Sequence, residues 1–188
     1  IVWDQQEKYL DRKHVIEAAW NWINMTIPVI SSTFASFSRM CKNLGAETLG
    51  HLFIDEAGQA LPQAAVGAIY RSRHVMVVGD PLQIKPVLTL DSNTLYMLGE
   101  HFGVTEKYLS ASASAQILAD AASQYGFYRK QDKAEDSWVG IPLWVHRRCR
   151  YPMFTISNMI SYDGFMVQGM EKYGKTDWFD VGGTANNK

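Results

Sequence analysis

Two short apolar runs, each closed abruptly by polar residues, constrain this chain more than any other feature of its sequence. Leu52-Phe53-Ile54 runs straight into Asp55-Glu56-Ala57-Gly58-Gln59-Ala60. Val75-Met76-Val77-Val78 runs into Gly79-Asp80-Pro81-Leu82-Gln83-Ile84-Lys85-Pro86-Val87. A short apolar run bounded by turn formers reads as a strand buried on both faces, the kind found in parallel sheets. Between the runs, Gln63 to Tyr70 is Ala-rich and helix-compatible, and it supplies the crossover that parallel strands need. The expected fold class is α/β, a parallel sheet with flanking helices. Ligands of such sheets sit outside the carboxyl ends of the strands, where Asp55 and Glu56 fall. A strand that simply ends in a polar turn has the same local appearance, so the carboxylates alone decide nothing.

The two segments together narrow the reading. Asp55-Glu56-Ala57-Gly58-Gln59-Ala60 followed by Gly79 to Val87 resembles motifs II and III of the superfamily-one helicases. The resemblance is greatest to the branch containing the nonsense-mediated-decay RNA helicase and its bacterial relatives. It implies a P-loop NTPase fold of the RecA-like type in two partial lobes. It also implies ATP and Mg²⁺ as cofactors, and a single-stranded nucleic acid, DNA or RNA, as partner. Carried over residue by residue, Asp55 holds Mg²⁺ on the nucleotide and Glu56 polarises the attacking water. Gln83 senses the γ-phosphate, and Asp80 joins Asp55 in cofactor binding. Phosphoryl transfer needs these parts, a metal held near the phosphates and a group that orients water.

Composition sets the outer bounds. The chain has 188 residues, 47% of them hydrophobic, enough for a sizeable core. A net charge of −1 provides no global basic field, so any nucleic-acid channel is local. Cys41 and Cys149 lie far apart, and no secretory signal peptide is recognisable. They read as free thiols of a reducing, cytoplasmic compartment. No apolar run approaches the ~18 residues that a membrane span requires. The chain opens on Ile1 without a Met and stops at Lys188 without a closing element, which reads as a fragment of a longer protein. The phosphate-binding loop that the family order requires is expected upstream of Ile1.

The N-terminal segment from about Asp4 to Asn24 reads as a helix capped by Asp4, with Leu10, Ile16, Trp20 and Ile23 on one stripe. Ile27-Pro28-Val29-Ile30 reads as a strand entering a Ser- and Thr-rich turn. In the resembled family such a turn touches the nucleic-acid backbone, which assigns phosphate contact to Thr33 or Ser36. The alternative is that Ser32 or Ser36 caps a helix from Phe37 to Leu44. Helices are expected over Ser92 to Phe102 and Ala115 to Ala122. Charged and aperiodic, Gly126 to Asp136 reads as an exposed loop.

A second unit is expected from Trp138. There Ile141 to Val145 reads as a strand delivering His146-Arg147-Arg148-Cys149-Arg150. This resembles the fourth helicase motif, and the matched residue is Arg148, whose guanidinium would stabilise transition-state charge. Arg147 and Arg150 compete for that role. Helix Pro152 to Ile160 and a strand Trp178 to Val181 follow. The boundaries so drawn are 1–90 for the distal part of the first RecA-like lobe, 91–137 for connecting elements, and 138–188 for the start of the second. The literal phosphate-loop pattern Gly169 to Thr176 is read as a surface hairpin instead, because a strand-like segment follows it and Glu171 sits inside it. The function so implied is an ATP-dependent helicase or translocase. The alternatives are a nucleic-acid-stimulated NTPase switch without unwinding activity and a metal-dependent nuclease.

Overall fold

The computed structural model describes residues 4–80, 82, 84–88, 90–105, 108–109, 113–129, 137–170, 174–175, 177, 179 and 182. They form an α/β chain in two units, Ile1–Gly140 and Ile141–Lys188. Helix α1 (Lys13–Thr26) is driven by Ile16 and Trp20, one turn apart and both buried. They pack on Cys41 and Leu44, with Tyr9, Phe37, Met40 and Leu49 at the margin. The single helix expected from Asp4 is instead a 3-10 turn, Gln6–Tyr9, followed by α1. Asp4 caps neither piece, since the preceding residues are Gln5 and Arg12, and the turn carries Tyr9 onto the Ile16–Trp20 cluster.

The strand expected over Ile27–Ile30 is absent. No described strand pairs with that run, and Ile27 and Val29 are exposed. An apolar run becomes a strand only where a ladder satisfies its backbone. Helix α2 (Phe34–Met40) starts earlier than expected because Thr33 caps it, its hydroxyl oxygen accepting the N–H of Ser36 at 3.2 Å.

The expected βαβ unit is present. Strands β1 (Leu49–Ile54) and β2 (Ser72–Val77) pair in parallel from Leu49↔Ser72 to Ile54↔Val77, and α3 (Pro62–Tyr70) crosses between them. Pro62 opens α3 where a missing N–H costs little. Its small residues Ala65 and Ala68 allow close packing and are buried. The core beneath the strand ends is Ile54, Ala57, Ala60, Ala65 and Ala115, flanked by Phe34, Leu52, Ile69 and Val77. Arg71 ties the crossover to the first cluster by donating to the carbonyls of Leu44 and Gly67. Burial of both sheet faces does not occur among the described residues. Phe53 and its register partner Met76 are 68% and 57% exposed, and His51 stacks on His74 at 4.9 Å. A two-stranded sheet covered on one side leaves the other open.

Helices α4 (Ser92–Phe102) and α5 (Ala115–Ala122) fall where the sequence places them. Asp91 caps α4 by accepting from Asn93 and Thr94, and the Thr94 hydroxyl in particular holds its carboxyl below the usual range. Gly103, at φ 66°, closes the helix. The expected loop after Gly126 contains a strand. β3 (Phe127–Arg129) pairs antiparallel with β4 (Ser137–Val139), and the Tyr128 and Trp138 rings meet edge to face at 5.0 Å. Trp138 therefore belongs to the first unit, and the second begins at Ile141 rather than at Trp138. The buried carboxylate of Asp120 on α5 accepts the Gly140 N–H at 3.1 Å and fastens the end of this hairpin.

In the second unit the strand expected over Ile141–Val145 is confined to β5 (Val145–His146), parallel to β6 (Val167–Gln168), with α6 (Met153–Ser161) between them. Asn158, buried on α6, both donates to and accepts from the Met166 backbone at 3.0 Å. The strand expected over Trp178–Val181 lies largely outside the described residues, which also hold no helix long and apolar enough to cross a membrane.

Candidate functional site

The site begins where β1 stops. Asp55 follows the buried Ile54, and the next residue, Glu56, sits in the left-handed region at φ 52°, ψ 37°. A side chain larger than Gly is uncommon there, and such strain clusters at functional sites. Successive strand residues point to opposite faces. The left-handed turn breaks that alternation, so Asp55 and Glu56 line one cavity. The Asp55 carboxylate accepts the Glu56 N–H at 3.0 Å, and the Gln59 side-chain amide reaches the Glu56 carboxylate at 3.4 Å.

The loop after β2 lies against this turn. Ile54 O accepts the Val78 N–H at 2.8 Å, and Val78 O accepts the Ala57 N–H at 3.0 Å. Beyond that exchange the backbones meet at their two glycines. A Cβ on Gly79 would lie 2.6 Å from the Gly58 nitrogen and 2.7 Å from that of Ala57. A Cβ on Gly58 would press on the Asp80 carbonyl group. Asp80 is half-buried, and its carboxylate accepts the Leu82 N–H at 2.9 Å, folding the second loop back. Gln83 lies outside the described residues.

The cavity measures about 440 Å³. One wall carries Asp55, Glu56 and Gln59. The rest of the lining is Lys85 and apolar residues, Phe34, Leu61, Ile84 and Val87 among them. Phe34, Gln59 and Lys85 are members that sequence reasoning did not single out. Phe34 follows the suspected phosphate contact Thr33, and Lys85 follows the suspected sensor segment, so proximity in sequence was the available signal. Thr33 and Ser36 do not line the cavity. The Thr33 oxygen and the Ser36 N–H are bonded to each other in the α2 cap.

Among the described residues no three His, Cys, Asp or Glu side chains converge into an all-protein metal cage. A single exposed carboxylate such as Asp55 suits Mg²⁺, which keeps waters and shares phosphate oxygens.

Arg148 stands in the second unit. It is exposed, in a turn fixed by the Cys149 N–H donating to His146 Nε2 at 2.9 Å. Arg147 and Arg150 are exposed beside it. The Gly169–Thr176 pattern, of which 171–173 and 176 lie outside the described residues, does not hold its glycine N–H groups free. Gly169 donates to His146 O and Gly174 to Tyr151 O, both at 2.8 Å. No protein-family model, curated protein or solved structure significantly matches the chain.

Proposed function

We propose that this chain carries part of the ATP-hydrolysing core of a helicase or translocase acting on single-stranded DNA or RNA. The observation that supports the reading is the meeting of two loops at the carboxyl ends of parallel strands, held backbone to backbone at Gly58 and Gly79. RecA-like lobes need this adjacency, because the metal-binding carboxylate and the phosphate-sensing loop act on one phosphoryl group.

In this reading Asp55 would hold Mg²⁺, with Asp80 shaping the adjoining loop on the nucleotide side. Bound there, the metal would neutralise phosphate charge. Glu56 orients the attacking water and accepts its proton, and Gln59 restrains the Glu56 carboxylate. Gln83 would sense the terminal phosphate, and Arg148 is the residue to which the resemblance assigns stabilisation of transition-state charge. Thr33 or Ser36 would touch the strand backbone, an assignment that rests on the resemblance alone. The reading requires a phosphate-binding loop that none of the described residues supplies.

The test uses the full-length protein with ATP and a single-stranded oligonucleotide. Glu56→Gln is expected to lower strand-stimulated turnover at least ~10²-fold with nucleotide affinity retained, whereas Asp55→Ala weakens metal-dependent binding itself. Wild-type turnover by Glu56→Gln would refute the assignment. Strand displacement by the wild type separates a helicase from an NTPase that switches without unwinding.

A further inference from the structure

Among the described residues lining the cavity, Lys85 is the one cation. Asp55 and Glu56 line the same space, yet neither carboxylate comes within 4.0 Å of its ammonium. Lys85 has no hydrogen-bond or ion-pair partner among the described residues. Lys85 is exposed, and the buried Pro86, next in the chain, disfavours helical backbone at Lys85. Lys85 thus brings an unpaired cation to the lining that Asp55 and Glu56 share.

The charge arrangement selects a ligand class. Two carboxylates repel a bare anion, so an oxyanion enters only if positive charge meets it on both sides. Lys85 supplies one side. A metal ion at Asp55 would supply the other, and metal-bound phosphate is the common species with that pattern. We propose that Lys85 is a phosphate-contacting residue of this cavity. The oxyanion belongs to the terminal phosphate of the nucleotide or to the backbone of the bound strand. The inference rests on the nucleotide-hydrolase reading of Asp55 and Glu56 and adds a contact which that reading does not require.

The experiment compares wild type, Lys85→Ala and Lys85→Arg in the full-length protein. Mg-ATP affinity is measured by calorimetry without strand, and oligonucleotide affinity over a salt series without nucleotide. Lys85→Ala is expected to weaken one of the two about tenfold, with Lys85→Arg restoring most of the loss, because a charge-assisted hydrogen bond is removed and then replaced. Weakened Mg-ATP binding identifies the nucleotide phosphate. Weakened strand binding, with the salt slope reduced by about one, identifies the backbone phosphate. The proposal is overturned if Lys85→Ala binds both ligands within twofold of wild type, or if wild type binds neither. Glu56→Gln run alongside separates the two readings. Lost binding in Lys85→Ala without wild-type turnover refutes the hydrolase and leaves the phosphate contact. Turnover abolished by Glu56→Gln, with Lys85→Ala binding both ligands as wild type does, refutes the phosphate contact and leaves the hydrolase.

Discussion

Replacing Gly79 with Ala tests whether the two loops form one unit. The added Cβ would sit 2.6 Å from the Gly58 nitrogen, 2.7 Å from the Ala57 nitrogen and 3.1 Å from the Ala57 Cα. Every one of these atoms is backbone, so no flexible side chain can move aside. Relief requires the loops to separate, and the first casualty is the Ala57 N–H to Val78 O hydrogen bond. Overpacking costs roughly 1–3 kcal/mol and a backbone hydrogen bond about 1, so Gly79→Ala should destabilise the first unit by ~2–4 kcal/mol. Gly50→Ala is the matched control. It lies in β1, nothing stands within 4 Å of its would-be Cβ, and Ala there should be neutral or stabilising by up to about 1 kcal/mol. Urea unfolding of the full chain, followed by circular dichroism and tryptophan fluorescence, reads both as shifts in midpoint at constant slope. Equal midpoints for the two variants would refute the backbone contact and, with it, the juxtaposition on which the functional reading depends.

Glu56→Gly should raise stability by about 1 kcal/mol while abolishing turnover, because Gly adopts φ near 50° without the Cβ penalty that Glu incurs. A lower melting temperature would show that the left-handed turn is not strained. The buried Cys41 thiol is pushed up to about 11 from 9.0, its burial outweighing the opposing pull of Arg71. Its contribution to stability is therefore intact below pH 9 and lost as pH rises toward 11, a loss that Cys41→Ser should remove from a pH series of melting temperatures. In labelling at pH 8, Cys149 should react before Cys41, and equal rates would contradict the burial of Cys41.

What was legible in the sequence follows from how local each cause is. β1, α3 and β2 were readable because an apolar run, a Pro at a helix start and an Ala-rich crossover act over a few residues. α4 and α5 also fell where the sequence placed them, and the structure adds their caps, Asp91 and Ser114, and the stop at Gly103. Ile27–Ile30 has an equally strong strand pattern but no described neighbour to pair with, and a ladder is a property of two segments. β3 is the converse case. Its three residues carry no period, and it exists because Tyr128 finds Trp138 across the hairpin. The same limit hid part of the site. Asp55, Glu56 and Asp80 could be nominated from their motifs, whereas Phe34 and Lys85 reach the cavity from segments about 50 residues apart only through the fold. Thr33 was nominated for its hydroxyl, and its observed use is the α2 cap, a role that residue type alone also permits.

The glycines show why a pattern is not a site. A phosphate loop works because its glycines leave successive N–H groups unpaired around an anion-sized hollow. Gly169 and Gly174 occupy the required positions in the literal pattern, yet each N–H is spent on a neighbouring carbonyl, His146 O and Tyr151 O. The space a Cβ would need is also filled: it would lie 2.7 Å from Val145 Cγ1 at Gly169 and 2.8 Å from Tyr151 O at Gly174. These glycines serve packing. Gly58 and Gly79 belong to no phosphate-loop pattern, but their missing Cβ atoms let two strand ends close to backbone contact, and that contact sets Glu56 and Asp80 on neighbouring loops. The chemical meaning of a glycine here depends on what its N–H donates to and what its absent side chain would strike. By both measures Gly169 and Gly174 pack against their neighbours, whereas Gly58 and Gly79 join the loops after β1 and β2.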